Sequence, residues 1–209
     1  MIPLSILLRR LGIKLEKVFA KPFLGSLDGH TDGISALAKH PKRLSTLAAA
    51  ATTEKYGFGG FARGLTFSGS GDTLISVGDD KIIHTWKTPT EGCIENLRKP
   101  LHSVATKSLL NGISHHRNED KFATCGESTA LWTTVEMFPK RVPMGVDSIH
   151  CVRFNMVEES ILAACASDRS IILYDVRESN PMRKVCLDMK SNALAWNPME
   201  AMIFTVANE

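Results

Sequence analysis

The sequence predicts an all-β protein, an incomplete β-propeller made of repeated four-stranded sheets. Two observations support this prediction: a strand–turn–strand pattern recurs at a regular spacing, and an aromatic residue closes each full copy. The 209 residues are enough for one large domain, and 44% hydrophobic with 22% charged residues is typical of a globular protein. A formal charge of +3 is too small to indicate nucleic-acid binding by itself.

Four stretches carry the repeat. Each begins with polar turn residues, continues into an apolar, β-prone strand and reaches a second polar turn: GDTLISVGDDKIIHTWK (71–87), EDKFATCGESTALWTT (119–134), ESILAACASDRSIILYDVR (159–177) and EAMIFTVANE (200–209). In the first three, a second strand follows and ends at Trp86, Trp132 or Tyr174, which lie 46 and 42 residues apart. This period is typical of the four-stranded blade of a WD40 propeller.

Further strands are expected on both sides of each pair. ARGLTFS, NGISHHR, HCVRFNM and ALAWNPM precede the four copies, and PLHSVAT and MRKVCLDM are weaker outer strands. We expect a divergent, disordered lead-in over residues 1–13 and a partial propeller over 14–209. Within it, residues 14–60 form a damaged first blade. Further blades span 61–106, 107–147 and 148–190, and residues 191–209 are the start of the next blade.

Closed propellers have about four to eight blades, and this chain has three full ones by sequence. We therefore expect a fragment, or a truncated and internally deleted isoform. Its open edges and apolar blade face would favour aggregation or partner binding.

A polar network is expected inside each blade, because buried polar groups need partners and their pairing fixes strand register. It would join a loop histidine, a Ser or Thr of the second strand, an Asp of the next turn and the indole of the third strand. The candidates, incomplete in every blade, are His30, Ser76, Asp79 or Asp80, Trp86, Thr124, Trp132, Ser167 and Asp168. Asp168 is accordingly interpreted as a structural turn residue rather than a catalytic one.

The sequence disfavours catalysis and metal binding. His115 and His116 are adjacent on a strand and should face opposite sides, and the Gly-rich stretches at 57–60 and 67–72 lack a strand–helix context. Five cysteines without a C-x-x-C pair are expected to be reduced thiols of an intracellular protein. We therefore expect no enzyme activity and no cofactor. We also expect no membrane span, since the apolar stretch 2–8 is too short to cross a bilayer.

Four stretches are more specific than the general repeat: KLEKVFAKPFLGSLDGHTDG (14–33), SVGDDKIIHTWK (76–87), CASDRSIILYDVRESNPMRKV (165–185) and NALAWNPMEAMIFTVANE (192–209). Through them the chain resembles the WD-repeat family of the nucleolar small-subunit processome, also described as cullin-4-associated factors. The resemblance implies a seven-bladed propeller with a basic, helical C-terminal extension. It further implies a nuclear, nucleolar scaffold that works with processome proteins and the U3 small nucleolar ribonucleoprotein in pre-rRNA processing toward 18S rRNA. Because basic residues lie mostly in linkers, RNA contact is expected to be indirect.

The resemblance also implies an alternative function, that of a substrate receptor of a cullin-4 ubiquitin ligase. Such receptors often carry a W/Y-D-x-R box at the end of a third strand, and Tyr174-Asp175-Val176-Arg177 matches it. Asp175 and Arg177 would then make charge-assisted bonds at the ligase adaptor, with Tyr174 anchoring the strand. Two alternatives remain open: that Asp175 and Arg177 only end a strand and pair with nearby turns, and that the chain is a non-functional truncated isoform.

Overall fold

The computed structural model describes residues 33–43, 46–51, 61–88, 99–133, 140–142, 148–178 and 181–209. The expected lead-in at 1–13 lies outside these residues. Every regular element among the described residues is a β-strand, which confirms the all-β prediction. The same residues contain no helix long and apolar enough to cross a membrane.

The strands of the described residues form five separate antiparallel sheets. The first sheet pairs β1 (Ile34–Lys39) with β2 (Leu47–Ala51), and the fifth pairs β15 (Ser191–Trp196) with β16 (Phe204–Asn208). The three sheets between them have four strands each, in chain order. These are β3 (Ala62–Phe67), β4 (Thr73–Gly78), β5 (Ile82–Lys87) and β6 (His102–Ala105); β7 (Leu110–His115), β8 (Lys121–Gly126), β9 (Thr129–Thr133) and β10 (Lys140–Val142); and β11 (Ile149–Phe154), β12 (Ile161–Ala166), β13 (Ser170–Asp175) and β14 (Pro181–Cys186).

The sheets are arranged as successive propeller blades. The first strand of each sheet contacts the first strand of the next, so β1, β3, β7, β11 and β15 follow one another. Short meanders placed side by side in this way are the architecture of a β-propeller. The prediction of an incomplete propeller is therefore confirmed for the described residues.

The apolar core lies between the sheets. Strand β12 shows this best, because all six of its residues are buried and successive side chains face opposite neighbours. Leu162 packs in a cluster that includes Leu131 of the third sheet, whereas Ala163 packs in a cluster that includes Trp196 of the fifth. Each sheet thus stabilises the next by burying one of its faces.

The four cysteines among the described residues are unpaired thiols. Cys125 and Cys165 are buried, Cys151 is half-buried and Cys186 is exposed. Burial, together with the nearby Cys151 thiol, raises the pKa of Cys165 to about 12. At neutral pH this buried thiol is therefore protonated and is a poor nucleophile.

Candidate partner-binding site

The predicted box lies where β13 ends, at one end of the fourth sheet. Tyr174 is 2% exposed and packs in the cluster between the third and fourth sheets. Burial, with the adjacent Asp175 carboxylate, raises the pKa of the Tyr174 hydroxyl. Tyr174 thus fixes the end of the strand, and the chain turns over the next residues, Val176 to Glu178.

Asp175 and Arg177 are paired with each other. Asp175 Oδ1 accepts hydrogen bonds from the Arg177 backbone N–H at 2.9 Å and from Nε at 3.2 Å, and Oδ2 accepts one from a terminal guanidinium nitrogen at 3.0 Å. Only 11% of the Asp175 side chain is exposed, against 76% of the Arg177 side chain. The carboxylate is therefore shielded, while the guanidinium that it orients faces solvent.

The electrostatics favour a charged pair. Hydrogen bonds from the Arg177 side chain and then from its backbone N–H lower the pKa of Asp175. The same side-chain bond raises the pKa of Arg177, with smaller contributions from Glu158 and Glu178. The positive charge on Arg177 is thus present throughout the neutral range.

The neighbouring turn between β11 and β12 supports this corner. The Val176 N–H donates to the Ser160 carbonyl at 2.8 Å, and Arg177 donates to Ser160 Oγ at 3.0 Å. A cleft of about 480 Å³ runs alongside, between the third and fourth sheets. Its lining combines apolar and charged side chains, among them Phe154, Val157, Val176, Lys121, Glu158 and Arg177.

Two pairs of the predicted polar network are brought together inside the sheets. The Trp86 indole donates to Ser76 Oγ at 2.9 Å, and the Trp132 indole donates to Thr124 Oγ1 at 2.8 Å. All four side chains are buried. Each bond links the second and third strands of a sheet and satisfies an indole N–H that would otherwise be buried without a partner.

The two candidate aspartates of the second sheet have different partners. Asp79, one of the two alternatives, pairs with Arg63 across β3 and β4, with one guanidinium nitrogen 3.0 Å from Oδ2. Asp80 instead contacts His84 Nε2 at 3.2 Å. The Arg63–Asp79 pair lies near solvent, with 50% and 22% of the two side chains exposed. The Asp80 side chain is only 6% exposed, and its partner His84 packs against the Trp86 indole, with ring centroids 5.7 Å apart.

The fourth sheet has a tyrosine in place of tryptophan, and its predicted members have other partners. Ser167 Oγ lies 2.8 Å from His150 Nε2 and donates to the Ser148 carbonyl at 3.0 Å. Asp168 accepts from the Ser170 backbone N–H at 3.0 Å and from Lys184 Nζ at 2.7 Å. Asp168 therefore organises the turn between β12 and β13. His30, the remaining candidate, lies outside the described residues.

A second set of polar residues was missed by the sequence analysis. His40, His116 and Asn155 each follow the first strand of a sheet directly, and all three are buried. Each side chain bonds to a turn of the neighbouring sheet, through the carbonyls of Gly71, Glu159 and Ala201 respectively. The signal that could have revealed them is the recurrence of His or Asn directly after four of the five first strands.

The fold and these pairs define a class: a partial β-propeller of the WD-repeat type, in which Arg177 is held exposed at a blade end. No family model matches the chain. Among curated proteins it is similar to "DDB1- and CUL4-associated factor 13" of Xenopus laevis, with 44% identity over 212 residues covering 94% of this chain and 47% of the relative. The Homo sapiens and Dictyostelium discoideum proteins of the same name are 43% and 37% identical, each over 88% of this chain. The chain spans about half the length of the curated relatives it matches.

Proposed function

We propose that this chain is a non-enzymatic member of the DDB1- and CUL4-associated factor 13 family, and that it docks on the DDB1 adaptor of a cullin-4 ubiquitin ligase. The observation that carries the proposal is the Asp175–Arg177 corner. A buried carboxylate orients an exposed guanidinium, so less side-chain entropy is lost when a partner binds it. In the full protein this role would be that of a substrate receptor, with ubiquitin transfer carried out by other subunits.

The surroundings of Arg177 support a protein partner. The turns at this end of the fourth and fifth sheets expose apolar side chains: Met156 is 47%, Val157 45% and Met199 85% exposed. Protein interfaces combine apolar contacts with arginine and place the strongest contacts where both meet. We therefore place the adaptor across the β11–β12 and β13–β14 turns.

The test is binding of the full 209-residue chain to purified adaptor. Arg177→Ala is expected to weaken binding by 2 kcal/mol or more, roughly 30-fold, as for an interface hot spot. The matched control is Arg63→Ala, because Arg63 also forms a two-nitrogen pair with an aspartate, Asp79, but at the opposite end of its sheet. Adaptor binding that survives Arg177→Ala unchanged would sink the proposal.

A second candidate is the scaffold function in small-subunit ribosome biogenesis, in the nucleolus. It is favoured by the resemblance of segments 165–185 and 192–209 to processome WD-repeat proteins. A pull-down of the tagged chain from nuclear extract distinguishes the candidates. U3-type small nucleolar RNA with pre-ribosomal proteins supports the scaffold, adaptor without that RNA supports the receptor, and chaperones alone support a non-functional isoform.

A further inference from the structure

The residues that follow the first strands make a recurring contact, which we call a sheet-to-sheet bridge. In the first sheet, His40 Nδ1 accepts hydrogen bonds from the backbone N–H groups of Lys42 at 3.1 Å and Arg43 at 2.9 Å. Its Nε2 lies 3.0 Å from the Gly71 carbonyl of the second sheet. Since Nδ1 faces two donors, the neutral ring carries its hydrogen on Nε2 and donates it to that carbonyl.

His116 repeats this geometry between the third and fourth sheets. Its Nδ1 accepts from the N–H groups of Asn118 at 3.3 Å and Glu119 at 2.9 Å, and its Nε2 donates to the Glu159 carbonyl at 2.9 Å. Two further contacts join the same turns, because Arg117 donates to the Met156 carbonyl at 3.2 Å and Asn118 donates to the Glu159 carboxylate. The β11–β12 turn is thus held by the third sheet.

The chain itself shows which side chains can form the bridge. Asn155 does so with an amide: Oδ1 accepts from Val157 N–H at 2.8 Å and Glu158 N–H at 3.1 Å, while Nδ2 donates to the Ala201 carbonyl. Ser68 occupies the corresponding position of the second sheet. Its Oγ accepts from the Thr73 N–H at 3.2 Å within its own sheet and forms no bond to the third sheet among the described residues.

The His116 bridge ends beside the proposed adaptor site. Glu159, which accepts its hydrogen bond, directly precedes Ser160, and Ser160 contacts both Val176 and Arg177. We propose that His116 is a positioning residue for Arg177: by fixing the β11–β12 turn to the third sheet, it holds the guanidinium in its binding orientation. The effect on adaptor affinity rests on the proposed function, but the ordering of Arg177 does not.

The experiment compares His116→Ser, His116→Asn and His40→Ser in the full chain. The Ser variants imitate Ser68, which directly follows β3 and, within the described residues, forms no bridge to the next sheet. Because the second sheet folds with this serine, we expect the variants to fold as well. The first measurement is the rate of hydrogen exchange of the Arg177 Nε–H, monitored by NMR. The second is the affinity for the adaptor. His116→Ser should accelerate the exchange and weaken adaptor binding by about 2- to 12-fold, the cost of immobilising one side chain.

The two other variants separate positioning from general stability. His116→Asn should restore both measurements, because Asn155 forms the same bridge with an amide. His40→Ser should lower the unfolding temperature similarly yet leave Arg177 exchange and affinity as in the wild type. Unchanged Arg177 exchange in His116→Ser, or an equal effect of His40→Ser, overturns the inference. If Arg177→Ala leaves adaptor binding intact while His116→Ser still alters Arg177 exchange, the proposed function fails and the positioning role stands.

Discussion

The hydrogen-bond partners of Asp175 are set by the residues that directly follow it in the chain. The sequence motif indicates an acid and a base at the end of a strand, but it does not reveal that they pair with each other. That pairing follows from the turn at Val176, which brings the Arg177 N–H and guanidinium onto the same carboxylate. Arg177 also donates to Ser160 Oγ of the neighbouring turn, which is the contact expected if the two residues only end a strand and pair with nearby turns. Adaptor binding by the Arg177→Ala variant distinguishes the two interpretations.

At Thr124 a substitution tests the buried network. Thr124→Val keeps the shape of the side chain but leaves the Trp132 indole N–H without its acceptor. We expect a loss of about 1–3 kcal/mol in unfolding free energy, the cost of a buried unsatisfied donor. Urea denaturation measures this. Adding Trp132→Phe, which removes the donor, should cost less in the Thr124→Val background than in the wild type; equal costs would show that the bond contributes little.

His115 makes the stability of the folded chain depend on pH. Burial lowers the pKa of His115 from its usual 6.5, and its bond to the His116 carbonyl offsets this only in part. As the pH falls through about 6.5, the unfolded chain therefore takes up a proton that the folded chain does not, and the folded state loses stability. His115→Phe should show a smaller fall in melting temperature between pH 7.5 and 5.5. An identical fall in both proteins would contradict this explanation.

Among the elements, the apolar, β-prone strands around polar turns were predicted, whereas β2 and β10 were not. The paired strands β4–β5 and β12–β13 follow from β-branched runs around polar turns, and β6 and β14 were expected as outer strands. Strand β2 has the sequence LAAAA, and alanine favours helix in isolation. It is a strand because five of its residues pair with β1, a tertiary effect that local sequence does not carry.

In the polar network, too, some contacts could be predicted from the sequence and others could not. Indole-to-hydroxyl bonds could be predicted, since the partners recur on adjacent strands. The partners of Asp79 could not, because Arg63 lies sixteen residues away on a different strand and becomes a neighbour only through the β3–β4 register.

At the scale of the whole molecule, stability depends on the fit between successive sheets. Gly69 marks one such contact, because a Cβ added there would lie 2.5 Å from the Arg117 carbonyl of the third sheet. Gly69→Ala should force the two sheets apart and cost about 1–3 kcal/mol, measured by chemical denaturation. Gly33→Ala is the matched control, since a Cβ there meets no atom of the described part of the chain within 4 Å. Equal stability of the two variants would show that the second and third sheets can adjust at little cost.

The central claim is that the partner binds at the end of the sheets that carries Arg177. The most direct measurement is amide hydrogen exchange of the full chain with and without purified DDB1 adaptor. We predict slower exchange at residues 156–160 and 175–178, which form the Arg177 corner, and no change in the opposite turns at 79–81 and 167–169. Protection confined to those opposite turns, or adaptor binding without protection of the Arg177 corner, would contradict the account.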